Sequence, residues 1–550
     1  MAFTSDYTPI TESTKAPRSV QGYKLWEETT IERHGQGYSS GNRAANNMFA
    51  PAKSKVPSVL NATLDDIARG LDEGLFTLVD LVKTYLAGIE EVNDVFDSVL
   101  ELNPDATTIA EDLDKEREHA VAWRTAIAQR QHRYARQDGS DIWVFALLGA
   151  KPATEASIVV KLRRAGAIVL GKANLTEWAT GIFYPRMKAF GSSTGSAISS
   201  ALGLAFASLG TETVSSIVSP AERSNVFGLN PTKDLIANDG IICGSLRQDV
   251  AGPLTRSVKD AASILSVIAT PSDDEHVSQS RKPTDYTEFC KGVDLNGIRI
   301  GIPRNLANGL TKAQDDAFQH AQTVLRSAGA SIVDPADISG VCEYEQQSPA
   351  ERQIVLETDN RISIESYIST LHSNPKALKS LRDIMDFTRS FGPEDYPHRN
   401  VELMERANVT DTRDPFYQRM LAREKYFVNE VGIEDTLRTY DLDLLLLPAA
   451  SRTVGEFAAR AGTPVLNVPM GYYPPGTEVR YDDTGEMVAT APGIPFSMYM
   501  FGKRYGEGGL LKTAFAFEQK VMVRRHGRPY QLPLTDLSDV VERRERMHKV

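Results

Sequence analysis

A chain of 550 residues, 41% apolar and 24% charged, can bury a large core and lies outside the low-hydrophobicity, high-charge regime of disorder. Lys and Arg total 61 against 72 Asp and Glu, a formal charge of -11 and the wrong sign for general phosphate-backbone binding, so no nucleic-acid partner is expected. Three widely spaced cysteines, Cys243, Cys290 and Cys342, supply neither a disulfide framework nor a cysteine-rich zinc site, which fits a reducing, cytoplasmic setting.

Residues 1–57 are rich in Ser, Thr, Gly, Asn and Pro with weak periodicity and read as a loosely structured N-terminal extension. The start has no basic region followed by an apolar one, and no stretch approaches about 18 consecutive apolar residues, so neither a secretion signal nor a membrane span is expected. From Asn61 the pattern turns helical. Leu64, Ile67 and Leu71, then Leu78, Val82, Tyr85 and Ile89, with Thr63 and Thr77 as caps, predict two successive helices. The charged run from Thr107 to about Arg133 predicts a third, its charges forming a solvated face.

The middle of the chain alternates: ASIVVKLRRAG precedes AIVLG, and AFQHAQTVLRSAG precedes ASIVDP, amphipathic helices that end at Gly before β-branched runs. GIRIGIP at 297–303 and DLDLLLLP at 441–448 read as strands covered on both faces, and GTPVLNVPMG at 462–471 as a strand and turn. This rhythm predicts an α/β fold with a central sheet sandwiched between helices. No repeat or low-complexity block breaks residues 58–535, which favours one large domain followed by a charged tail at 536–550.

The densest unusual segment runs from Phe190 to Thr232. It places Gly and Ser in two clusters, Gly191-Ser192-Ser193-Thr194-Gly195-Ser196 and Thr213-Val214-Ser215-Ser216, with an apolar stretch between them that should cross the core. Small residues let backbone approach a ligand, and successive N–H groups in such a loop, or at a helix start after Ser196, stabilise an anion as in an oxyanion hole. The alternative is that these residues only make turns and caps. Other motifs fail on their context. The nearest approach to a phosphate-binding loop, Gly166 to Lys172, ends in Ala173, and Gly191 to Gly195 matches GxSxG without the apolar strand a nucleophile elbow needs. The nine histidines form no HExxH, and none lies between Gly191 and Gly252.

The stretch Gly191 to Asp260 resembles the amidase signature family in GSSTGSA, LGTETVSSIVSPAE, GLNPT and SLRQDVAGPLTRSVKDA, with FALLGAK, KLRRAGAIVLGKANLTEWA and GIPFSMYMFGKRYGEGGLLKTAFAFEQ agreeing on either side. The resemblance implies an α/β/α sandwich around a mixed sheet, and a cofactor-free serine hydrolase acting on a small carboxylic amide. By position Ser216 matches the nucleophile and Ser192, 24 residues earlier, the relay serine that the family holds by a cis peptide. The N–H groups of Thr213, Val214, Ser215 and Ser216 match the oxyanion hole, with Ser193 beside the relay as a further substrate-binding residue. A symmetric homodimer is one expectation for the assembly.

Three departures from the family pattern stand out. Its basic lysine sits in a KDN-type segment just before FALLGAK, whereas here RYARQDGSDIWV runs into Phe145 with no lysine. Lys115, Lys151, Lys161 and Lys172 fall at positions that do not hold the base. Val214 and Ser215 stand where the family usually has a small residue and a glycine, so a Cβ there is expected to crowd the substrate or oppose a glycine-type backbone angle. The segment between Trp178 and Phe190 is also shorter than in fungal relatives. Two readings follow: an amidase-like serine hydrolase, or a catalytically inactive amidase-like protein that binds a small amide or acyl ligand.

Overall fold

A computed structural model describes residues 55–117, the backbone of 126–129, and residues 145–176, 191–269, 284–398, 400–449, 451–482, 485, 487–527 and 529–547. Most of the N-terminal extension, up to position 54, lies outside the described residues. Thr63 and Thr77 open α1 (Leu64–Asp72) and α2 (Leu78–Phe96) as their spacing predicts. Each threonine hydroxyl accepts the amide three residues on, and Asp66 or Asp80 returns a bond to the cap's own N–H, so two donors that helix geometry leaves orphaned are satisfied.

The central sheet takes strands β1 (Val99–Leu102), β2 (Ala126–Gln129), β3 (Ile168–Ala173), β4 (Ala207–Glu212), β5 (Phe227–Asn230) and β6 (Val250–Thr255) from the first half of the chain. From the second half it takes β7 (Arg299–Gly301), β8 (Ser331–Val333), β9 (Leu444–Leu447), β10 (Val465–Tyr472) and β11 (Pro495–Gly502). Their spatial order is β1-β3-β2-β4-β6-β5-β10-β11-β9-β7-β8. β2 runs parallel to β3 and β4, and β7 parallel to β8 and β9, while the strands between pair antiparallel, so the sheet is mixed.

Both faces are covered, and β9 shows why its sequence is an unbroken apolar run. Leu444 and Leu446 belong to one core cluster, and Leu445 and Leu447 to another on the opposite face. The helices that position these cores and the site are α3 (Ala106–Arg117), α4 (Ser157–Arg164), α5 (Thr194–Ala201), α6 (Val218–Arg223), α7 (Val258–Ile268) and α8 (Lys312–Ser327), followed by α9 (Pro349–Ser369), α10 (Arg452–Ala461), α11 (Glu507–Val521) and α12 (Leu537–Met547). Leu265 of α7, Leu325 of α8 and Leu511 of α11 pack with the first cluster; Val218 of α6 and Phe457 of α10 pack with the second.

Two local readings of the sequence are corrected. The charged run is not one helix, because α3 stops at Arg117 and β2 forms at Ala126–Gln129. A four-residue segment paired on both sides gains ladder hydrogen bonds that outweigh its helical propensity. The C-terminal stretch read as a charged tail forms α12, which buries Leu537 and Val541, and its Arg544 guanidinium donates to the Asp80 carboxylate of α2. Among the described residues no helix is long and apolar enough to cross a membrane.

Candidate active site

β4 is buried along its whole length and ends at Glu212, where the chain turns through Thr213, Val214, Ser215 and Ser216 into α6. The Glu212 carboxylate folds back under this turn. Its Oε2 accepts the N–H of Ile217 at 2.6 Å and of Val218 at 3.0 Å, and the Ser215 N–H also bonds to the carboxylate. Burial pushes the Glu212 pKa up to about 7, against the pull of these amides. Ser215 takes φ +59°, the left-handed angle for which glycine is the usual residue. Its Cβ therefore does not prevent that angle. Room comes from α10, where a Cβ added at Gly455 would lie 2.9 Å from Ser215 Oγ.

The first Gly/Ser cluster meets this turn directly. Gly191 has φ +106°, and a Cβ on it would lie 2.7 Å from Pro220 Cδ, so the loop packs against α6 only because this residue is glycine. The Ser192 N–H donates to Ser216 Oγ at 3.3 Å, and the Ser193 N–H donates to the Ser216 carbonyl at 3.1 Å. The two serines that the motif singles out are thus brought together, Ser192 buried and Ser216 half-buried. α5 begins at Thr194 with Ser193 as its N-cap, earlier than the start after Ser196 that the sequence suggested.

Residues remote in sequence complete the walls. Asp249 accepts the N–H groups of Gly244 at 2.6 Å and Ser245 at 3.0 Å, which holds Gly244 beside the turn. A Cβ at Gly244 would lie 3.0 Å from Thr213 Oγ1 and 3.8 Å from Asn360 Nδ2 of α9. Thr213, Val214, Ser215 and Ser216 are all half-buried. Sequence reasoning missed Glu212, Gly244, Asn360 and Gly455. Only Glu212 left a local signal, an acidic residue inside an otherwise uncharged buried strand.

One expectation changes. The cis peptide bonds among the described residues are Asp334–Pro335 and Tyr396–Pro397, so the bond preceding Ser192 is trans. A cis bond before a non-proline residue costs about 2.5–4 kcal/mol. Ser193 is fully buried, and its hydroxyl donates to the Thr211 carbonyl at 3.1 Å and accepts the Thr211 N–H at 3.2 Å, tying the loop to β4. The Ser215 amide is bonded to the Glu212 carboxylate. Lys115 and Lys172 hold Asp112 and Glu101, and Lys151 is exposed at the edge of a separate two-stranded sheet. The segments 130–144 and 177–190, where the sequence departs from the family, lie outside the described residues. Among the described residues no group of three or more His, Cys, Asp or Glu is placed to hold a metal ion.

The Amidase family model matches residues 144–511. A protein of Arthroderma benhamiae named "Putative amidase" is 35% identical over 534 residues, which cover 88% of each chain. A "Probable amidase" of Arabidopsis thaliana is 29% identical over 85% of this chain and 91% of its own. Among solved structures, native peptide amidase from Stenotrophomonas maltophilia superposes with a TM-score of 0.73 at 30% identity, covering 86% of this chain and 98% of that one.

Proposed function

The chain belongs to the amidase family, and from that premise we propose that it hydrolyses the C–N bond of a small carboxylic amide, with Ser216 as nucleophile and Ser192 as proton relay. The hydrogen bond from the Ser192 N–H to Ser216 Oγ, 3.3 Å, carries this reading. An Oγ that accepts an amide proton keeps its own hydrogen for a neighbouring acceptor, a part we assign to the hydroxyl of the same Ser192. Ser216 attacks the carbonyl carbon, its proton passes to Ser192 Oγ, and the Ser192 proton passes to the leaving nitrogen as the C–N bond breaks. Water then attacks the acyl-Ser216 ester, and the same protons move in reverse to release a carboxylic acid.

The developing oxyanion lies against the N–H groups of Thr213, Val214 and Ser216, in a turn that Glu212 anchors through the amides of Ser215, Ile217 and Val218. General-base assistance contributes about 10²–10⁴ in rate. A serine relay without the family lysine is therefore slower by about that factor than the same relay with it. The test is release of ammonia from a panel of small primary amides by the wild-type chain and by Ser216→Ala. Turnover that the substitution abolishes supports the reading, and turnover that survives it refutes the assignment of the nucleophile.

The alternative, amide binding without turnover, is favoured by the lysine-free sequence before Phe145 and by the engagement of Lys115 and Lys172 elsewhere. It predicts a rise in melting temperature with amides and no ammonia from any member of the panel.

A further inference from the structure

A second cavity, of about 200 Å³, lies at the far ends of α5 and α6, with Phe96, Ile198, Arg223, Asn225, Arg524 and Tyr530 in its lining. Both helices start beside the serine pair and both end at this cavity: α5 begins after Ser193 and presents Ile198 and Ala201, and α6 begins two residues after Ser216 and presents Arg223. At 1.5 Å per residue, the eight residues of α5 separate the two compartments by about 12 Å.

The chemistry of the lining is one-sided. In a chain of net charge -11 it carries two guanidinium groups, Arg223 and Arg524, and no Asp or Glu. Arg223 Nη1 donates to the Ala489 carbonyl at 2.8 Å. Arg524 donates from Nη1 to Asn61 Oδ1 at 3.3 Å and from Nη2 to the Ala201 carbonyl at 3.0 Å; it forms no ion pair among the described residues, although the Glu518 carboxylate is near enough to raise its pKa. Its Nε is buried without an acceptor. Burial and the neighbouring Arg256 guanidinium push the Arg524 pKa down, a direction that an anion alongside reverses. Asn225 Oδ1 is likewise buried without a donor, while its Nδ2 bonds to the Tyr472 hydroxyl. The rest of the lining is largely apolar, with Leu60, Phe96 and Ile198 among it.

We propose that this cavity is a second ligand site, for a small organic carboxylate with an apolar or aromatic body. The carboxylate sits between the guanidinium groups of Arg223 and Arg524, and the body packs on Phe96 and Ile198. Size agrees, since an apolar cavity of about 150 Å³ already holds a benzene ring. Nothing in this site takes part in the serine chemistry proposed above, so either can fail without the other.

Benzoate is the probe, and benzamide its uncharged counterpart. Both are titrated calorimetrically at constant ionic strength into the full chain carrying Ser216→Ala, so that neither is consumed. Benzoate is expected to bind in the millimolar range, about tenfold or more tighter than benzamide, because the guanidinium pair discriminates by charge. Arg524→Gln is expected to weaken benzoate about tenfold. Arg524 also ties down the end of α5, so Ser224→Trp, which fills the cavity and leaves both arginines in place, provides a second variant and is expected to abolish the binding. Benzoate affinity unchanged in both variants would place the ligand in the serine cleft and overturn the proposal. Absence of benzoate binding, or equal affinity for benzamide, would also overturn it.

Discussion

Gly191 and Glu212 show how much of the site depends on residues that do no chemistry themselves. Gly191 combines φ +106° with a close approach to Pro220. Gly191→Ala should therefore cost about 1–3 kcal/mol, an overpacking penalty, and move the Ser192 amide off Ser216 Oγ. Urea unfolding of the two proteins checks this, and equal midpoints would contradict it. For Glu212 the sign follows from its raised pKa. The folded state holds the proton to about 7 and the unfolded chain only to its ordinary 4.5, so the contribution to stability is full below about 4.5 and is lost as pH rises through 7. Glu212→Gln should flatten the fall in melting temperature between about pH 5 and 8, and calorimetric scans showing parallel declines in the two proteins would contradict this. Ser192 and Ser216 were legible because a motif fixes their positions. The clamp was not, since nothing around a lone glutamate says that its carboxylate will turn back onto amides five and six residues later. Gly455 was invisible for another reason: the Ser215 side chain it accommodates arrives from a distant part of the chain.

Elements were readable where local periodicity and burial agree. The capped pair α1 and α2 and the helix-strand units α4-β3 and α8-β8 follow directly from spacing and end signals, and the four leucines of β9 announced a strand covered on both sides. β2 was hidden because four residues inside a charged run carry too little pattern, and its two neighbours in the sheet are supplied by β3 and β4 from later in the sequence. α12 was hidden by composition, its many charges masking the stripe of Leu537 and Val541. Because Leu537 is fully buried, Leu537→Ala should lower stability by about 2–5 kcal/mol. Thermal unfolding of the variant measures it, and a change within about 0.5 kcal/mol, typical of a surface position, would mean that the helix is not part of the core.

At the scale of the molecule, the α/β class and the covered sheet could be read from alternation alone, whereas the order of strands could not, because register is set by partners far apart in sequence. That order is what makes the site. β2 and β4 run parallel and end on the same edge, α5 and α6 start there, and α9 and α10 bring Asn360 and Gly455 against the turn. The arrangement leaves the Ser216 hydroxyl half-buried and held by the Ser192 N–H of the first cluster. The most direct measurement is the intact mass of the purified chain after exposure to a fluorophosphonate. The account predicts a single adduct, mapped to the peptide containing Ser216, formed more slowly in Ser192→Ala and absent in Ser216→Ala. An adduct that persists in Ser216→Ala, or an unmodified wild-type chain, would contradict it.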